Sequence, residues 1–341
     1  CLMPELSTAL YFDRTVLLGC RVQTMKLIVR IVEVVLVVCL VFAVAGVIAT
    51  WETDKPVSAL TARWAQAPSQ FIEVDGTQVH LRDEGPRDDP MPIVLLHGTS
   101  ASLHTWDGWV QSLKGQRRVI RFDLPAFGLT GPNSNNDYSI AAYVRFVGGV
   151  VDKLGVKQFV LAGNSLGGQI AWETALAMPQ RVSQLVLIDS AGYAFEPKSV
   201  PVGFRIARLP GLRVLMEYVL PRGVVDNSVR NVYGDPSKVT PELVDRYFDL
   251  TLRAGNRKAL AYRMDQVLSG NEANIKNLKL PTLIMWGAKD QLIPLDNGQR
   301  FAADIQGSKL LVFDALGHVP HEEDAQVTVD AFKAFLATPS R

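Results

Sequence analysis

The chain has 341 residues, a formal net charge of +1, 48% hydrophobic residues and 20% charged residues. That balance excludes a disordered chain and gives no electrostatic reason to expect a nucleic-acid partner. Cys1, Cys20 and Cys39 are the only cysteines and all precede the globular part, which therefore has neither a disulfide framework nor a thiol nucleophile.

Met25-Lys26 reads as a natural start, which makes residues 1–24 an upstream extension. No residue from Val34 to Trp51 is charged, and the segment 25–51 has room for a membrane-spanning helix of about 20 residues. Arg14, Arg21, Lys26 and Arg30 precede the apolar run, while Glu52 and Asp54 follow it. This bias puts the N-terminus in the cytoplasm and the globular part outside it, on the periplasmic side in a bacterium. An uncleaved anchor is the leading expectation. Two alternatives stay open: secretion after cleavage behind Ala43-Val44-Ala45, which has the small-x-small form, and a buried core helix.

Residues 52–69 read as a polar linker. Short strand-like runs follow at 71–74 and 78–82, flanking an Asp75-Gly76 hairpin turn, then at 93–96, 119–122, 159–162, 185–188, 282–285 and 310–313. Several are continuous apolar stretches, as expected for strands buried on both faces of a parallel sheet. Helix-length segments alternate with them at 103–113, 139–154, 166–178, 296–303 and 322–336, which predicts βαβ units. Between 190 and 277 the alternation breaks into helical patterns without strands. The expected division is a core at 70–189, an inserted helical cap at 190–277 and the rest of the core at 278–341.

Ser165 lies in Gly163-Asn164-Ser165-Leu166-Gly167, a G-x-S-x-G motif between an apolar run and a good helix start. Strand, tight turn and helix form the nucleophile elbow, which exposes a serine at the top of a sheet. Gly163 and Gly167 let strand and helix approach at the bend, Asn164 helps to shape it, and the helix N-terminus sets backbone N–H groups beside the serine. A hydroxyl needs a base near neutral pH, and His318, after the last predicted strand, is the candidate. Asp290, just past the run 282–285, is the candidate acid that orients it. The expected oxyanion donors are the backbone N–H groups of Leu166 and Thr99. In the loop His97-Gly98-Thr99, Gly98 gives the backbone room, and His97 is expected to order the loop by hydrogen bonding rather than to react. His318 and His321 form H-x-x-H beside Glu322, Glu323 and Asp324, but the zinc pattern H-E-x-x-H is absent and the acids suit a helix N-terminus. Neither a metal nor a cofactor is expected.

The pieces "LLHGTSAS", "RFDLPAFGLTG", "LAGNSLGGQIAW", "PTLIMWGAKDQLIP" and "GHVPHEED" stand in this order. Together they resemble the α/β-hydrolase superfamily with a cap, over about residues 71–336. The resemblance implies an α/β-hydrolase fold: a mostly parallel eight-stranded sheet with helices on both faces and a helical cap insertion. It also implies Ser165 as nucleophile, His318 as base, Asp290 as orienting acid, and Thr99 with Leu166 as oxyanion donors. Ala126 stands where relatives often carry the first glycine of D-x-P-G-x-G, which is expected to shift that turn.

A serine triad with an oxyanion hole suits acyl transfer to water, so a small-molecule carboxylic ester is the leading substrate. Serine where other branches carry aspartate argues against haloalkane dehalogenase or epoxide hydrolase activity. "GNSLGG" and "WGAKDQLIPLDNG" resemble the carbon–carbon bond hydrolases of ring-cleavage products, whereas Thr99-Ser100-Ala101 and Val319 depart from that branch. A lactonase, thioesterase or cofactor-free perhydrolase fits the same triad, and a non-catalytic binding protein on this scaffold is the remote alternative. The membrane is the other expected partner, through the N-terminal helix. Within the cap, residues 200–225 mix large apolar side chains with Arg205, Arg208, Arg213 and Arg222. Packing on the core is the plain expectation for this stretch, and a basic amphipathic face on a bilayer is the sharper one.

Overall fold

The computed structural model describes residues 7–209, 211, 214, 216–266 and 271–337. The chain divides into two units, one through Trp51 and one from Glu52 onward. The first is a helix, α1 (Ser7–Ala49), whose 29-residue stretch Arg21–Ala49 reaches a mean hydropathy of 3.1 and is long and apolar enough to cross a membrane.

The second unit is built on one eight-stranded sheet in the order β1-β2-β4-β3-β5-β6-β7-β8. The strands are β1 (Gln70–Val74), β2 (Thr77–Glu84), β3 (Ile93–Leu96), β4 (Val119–Phe122), β5 (Phe159–Asn164), β6 (Val182–Ile188), β7 (Thr282–Gly287) and β8 (Lys309–Phe313). β1 and β2 form an antiparallel hairpin, β2 joins β4 antiparallel, and all later pairings are parallel. Asp75 and Gly76 both take positive φ, as the tight hairpin turn demands.

Successive residues of the central strands enter opposite cores. Val94, Leu96, Leu161, Leu185 and Ile284 join the core that packs on α4 (Ile140–Lys153) and α5 (Leu166–Ala177). Ile93, Leu95, Val160, Val186 and Leu283 join the core with Trp106, Trp109, Val329 and Phe332 on the other face. This period of two is why the strands read as unbroken apolar runs: both faces are covered. Ser139 caps α4 by accepting from the Ala142 N–H at 3.3 Å.

Several sequence expectations are corrected. The segment expected as a polar linker contains α2 (Val57–Trp64), and its Leu60 is buried against Leu129 and Leu250. Lys55 and Arg63 pair with Asp249, and the Trp64 indole donates to the same carboxylate, so the segment is docked rather than loose. The predicted helix 103–113 starts as a short 3-10 turn (Leu103–Trp106) and continues as α3 (Asp107–Leu113). The predicted helix 322–336 is two, one at Pro320–Glu323 and one at Ala325–Leu336, broken where Asp324 caps the second through the Val327 N–H. Ala126 accommodates its turn by backbone conformation. It adopts φ +79, the left-handed conformation that a glycine would take without strain.

The insertion between β6 and β7 carries α6 (Val202–Ala207), α7 (Arg222–Val232), α8 (Pro241–Thr251) and α9 (Asn256–Asp265) among the described residues. It has its own small core of Leu220, Val225, Val229, Val239, Val244 and Leu252, shared with Val319 of the loop after β8. Arg213 lies outside the described residues. Arg222 is not a free basic group, since it pairs with Asp245.

Candidate active site

Ser165 follows the last residue of β5 and precedes the first of α5, with φ 56 and ψ −117. A non-glycine residue holds such a backbone only when its surroundings over-determine it. Here the Ser165 N–H donates to the Ile188 carbonyl at 3.0 Å, and its own carbonyl accepts from Ala191 and Gln169 at 3.1 Å each. Gly163 and Gly167 are required by contact: a Cβ at Gly163 would stand 2.1 Å from the Gly167 oxygen, and one at Gly167 2.3 Å from the Leu96 oxygen. Strand, elbow and helix could not close with any side chain there.

His318 and Asp290 lie on the loops after β8 and β7. Asp290 Oδ2 is 2.7 Å from His318 Nδ1, and both side chains are almost fully buried. The other carboxylate oxygen, Oδ1, accepts the N–H groups of Leu292 and Ile293 at 2.8 and 3.0 Å. The carboxylate is thus fixed in rotation, and it holds the proton of the imidazole on Nδ1, leaving Nε2 with its lone pair free.

Asn164 donates through Nδ2 to the His318 carbonyl at 2.9 Å and to the Ile188 carbonyl at 3.2 Å. It therefore ties the loop of His318 to β5 and β6. The His97 ring accepts the Leu124 N–H on Nε2 at 2.9 Å and donates from Nδ1 to the Gly98 carbonyl at 2.7 Å. Both nitrogens are occupied and the ring is buried, so His97 orders its loop. Burial holds its pKa below the ordinary value.

Ser165, His318, Thr99 and Asn164 line one cavity, whose roof comes from the insertion. Phe204, Met216, Leu220, Val225 and Val229 form most of that roof, and no Asp, Glu, Lys or Arg lines the cavity among the described residues. Leu166 opens α5, so its N–H belongs to the unpaired first turn at the positive end of the helix.

Two groups beside the site were not singled out from the sequence. Asp189 directly follows β6, is fully buried at φ +42, and accepts the Gly287 N–H at 3.0 Å. Its carboxyl, that of Asp290 and the His318 ring bring ligand-type atoms within 4.8 Å of one another. Burial first, and then the neighbouring Asp290, push the Asp189 pKa well above the ordinary carboxyl value. Its signal was present: an acid at the C-terminal end of an apolar strand run, where such sheets gather their functional groups. The second is Glu323, which accepts from the backbone of Gly234 and Gly317 on Oε2 and of Asp235 on Oε1, at 2.8 to 2.9 Å. It stands in the first turn of a helix as the sequence led one to expect, and it also clamps the loop of His318 to the insertion.

His321 is buried and stacks on Trp106 at 4.1 Å between ring centroids, with neither ring nitrogen partnered among the described residues. A second Ser–His–Asp chain exists in Ser69, His80 and Asp123, with contacts of 2.9 and 2.7 Å. Ser69 does not line the cavity, and Asp123 is also committed to the N–H groups of Leu103 and Leu129. Burial raises the Asp123 pKa, but His80, His97 and His104 outweigh it and hold the carboxyl ionised. This chain staples β2, β4 and the loop after β3.

A family model described as the alpha/beta hydrolase fold matches residues 91–325. The chain belongs to the α/β-hydrolase family. This α/β-hydrolase is 29% identical over 281 residues to the 2-hydroxy-6-oxo-2,4-heptadienoate hydrolase of Pseudomonas putida, covering 79% of the chain and 96% of the relative. A meta-cleavage product hydrolase of Pseudomonas fluorescens superposes with a TM-score of 0.68 at 27% identity, covering 78% of this chain and 97% of that one. A bacterial membrane phospholipase A superposes with a TM-score of 0.69 at 22% identity, covering 90% and 97%, which is a likeness of fold. The mostly parallel sheet and the hydrolase class expected from the sequence are borne out.

Proposed function

We propose that this α/β-hydrolase cleaves carboxylic esters with large apolar groups, through Ser165, His318 and Asp290, beneath the insertion as its cap. His318 Nε2 takes the proton of Ser165 Oγ as the oxygen attacks the ester carbonyl. The N–H groups of Leu166 and Thr99 receive the charge that develops on the carbonyl oxygen. The imidazolium returns its proton to the leaving alcohol, and an acyl group remains on Ser165. Water, deprotonated by the same Nε2, then attacks the acyl-enzyme and releases the acid. Asp290 keeps the ring in the one tautomer that can do this.

The observation that supports the ester over the carbon–carbon reading is a cavity wall without a charged side chain among the described residues. The relatives favour a second reading, carbon–carbon bond hydrolysis, and the substrate in the name of the Pseudomonas putida relative is a carboxylate. Burying a carboxylate with no cation to pair it costs several kcal/mol. An uncharged ester meets no such penalty.

The test is hydrolysis of p-nitrophenyl esters of two to twelve carbons, and of 2-hydroxy-6-oxo-2,4-heptadienoate, by wild type and Ser165→Ala. Ester turnover that is lost in the variant is expected. Turnover of the dienoate alone would replace the ester reading with the carbon–carbon one.

A further inference from the structure

The described residues between 201 and 220 of the insertion face two ways. Pro201, Phe204, Met216 and Leu220 face the cavity with Ser165. Leu209, Val214 and Tyr218 are exposed at 51%, 57% and 48%, three large side chains turned to the outside within ten positions of the cap. Arg205 and Arg208 are exposed beside them.

The chain path says what covers this face. The Glu52 N–H donates to the Tyr218 carbonyl at 2.9 Å, and the Glu52 carbonyl accepts from Arg257 at 2.8 Å. Asp54 pairs with Arg257 and accepts the Gly255 N–H, and Lys55 exchanges backbone bonds with Leu252 and Ala254. The chain is therefore fixed to the insertion from Glu52 onward, with no slack. Only Thr50 and Trp51, three Cα–Cα steps, separate Glu52 from Ala49, the end of the stretch able to cross a membrane. Three such steps reach at most ~11 Å. With that stretch in a bilayer, covalent reach alone holds Glu52 and Tyr218 near headgroup depth, since the polar layer of each leaflet is about 5–7 Å thick.

We propose that the face carrying Arg205, Arg208, Leu209, Val214 and Tyr218 lies on the bilayer as a lipid-facing entrance, and that the cavity takes acyl esters of membrane lipids through it. The substrate half of this proposal rests on the ester reading. The surface half does not. Apolar side chains enter the acyl boundary, the two arginines meet anionic headgroups, and the apolar inner wall continues the path to Ser165.

The experiment uses the full chain reconstituted into vesicles of phosphatidylethanolamine and phosphatidylglycerol. Leu209→Glu with Val214→Glu alters two exposed residues that do not line the cavity. The double variant is expected to cleave p-nitrophenyl butyrate in detergent like wild type, yet to release fatty acid from the vesicle lipid roughly tenfold or more slowly. Separately, the tryptophan added by Val214→Trp is expected to be quenched by brominated acyl chains. Unchanged fatty-acid release in the double variant, or no added quenching, would overturn the surface, and a protein partner would then be the occupant to seek. Wild type that cleaves p-nitrophenyl esters but releases no fatty acid from vesicles would overturn the lipid substrate. Quenching without turnover of any ester would refute the ester reading and leave the surface standing.

Discussion

Asp290→Asn tests the geometry of the site most sharply, because the structure dictates which way the amide must face. Asp290 Oδ1 accepts two backbone N–H groups, from Leu292 and Ile293. An amide NH₂ in that place would oppose two donors, so the amide oxygen must take it. The NH₂ then points at His318 Nδ1, where Oδ2 now stands at 2.7 Å. A donor there forces Nδ1 to become the acceptor and moves the ring proton to Nε2. The base then faces Ser165 with a proton rather than a lone pair. A trapped tautomer of this kind lowers kcat by ~10⁴, or about 5 kcal/mol of transition-state stabilisation. The assay is p-nitrophenyl ester hydrolysis from pH 7 to 9, with KM close to wild type and the residual rate rising with pH as hydroxide replaces the lost base. Activity within tenfold of wild type would refute the reasoning and would point to Asp189 as the working acid.

The other predictions concern the groups around this pair. Asp189→Asn keeps the acceptor for Gly287 and a neutral donor toward Asp290, so kcat/KM is expected within about threefold of wild type and the pH–rate profile unchanged. A shifted acid limb would show that Asp189 works ionised. Glu323→Ala leaves the N–H groups of Gly234, Asp235 and Gly317 without their acceptor. A loss of about 2–4 kcal/mol in urea unfolding, with a lower kcat, is expected. Burial lowers the pKa of His321 to about 3, against 6.5 for the free side chain. The unfolded chain therefore binds the extra proton between these values, and the stability present above pH 6.5 is lost as pH falls toward 3, by at most about 1.4 kcal/mol per pH unit. His104, also near 3 by burial, adds to the same window. His321→Phe should keep the stacking on Trp106 and flatten the dependence between pH 7 and 5; an unchanged slope would show that His321 is not the group titrating.

The elements most legible in the sequence were those whose signal is local. Unbroken apolar runs marked β3, β5, β6 and β7 because both faces of the sheet are covered, and the glycines of the elbow marked contacts of 2.1 and 2.3 Å that exclude any side chain. The order Ser165, Asp290, His318 was legible because each follows a strand. What was lost depends on distant partners. The segment 52–69 is polar by composition, yet Lys55 and Arg63 find Asp249, almost two hundred positions along the chain. Glu323 looked like any acid at a helix start until the backbone of residues 234 and 235 was brought to it. Asp189 was visible in kind, but its raised pKa comes from burial first and then from Asp290 beside it, and neither can be read from the sequence.

These contacts also limit how a substrate can enter. The His318 N–H donates to the Val232 carbonyl at the end of α7, and Glu323 binds both the insertion and Gly317. Gly317 packs so tightly that a Cβ would stand 2.4 Å from the Gly234 nitrogen, and Val319 belongs to the insertion's own core. An insertion that swung away as a rigid lid would pull His318 from Asp290 and expose that core. Entry must therefore leave these contacts in place, which favours a path past Phe204 and Met216 in the cavity wall over the swing of a rigid lid. That arrangement suits a substrate drawn one acyl chain at a time from a surface better than one that must be enclosed whole.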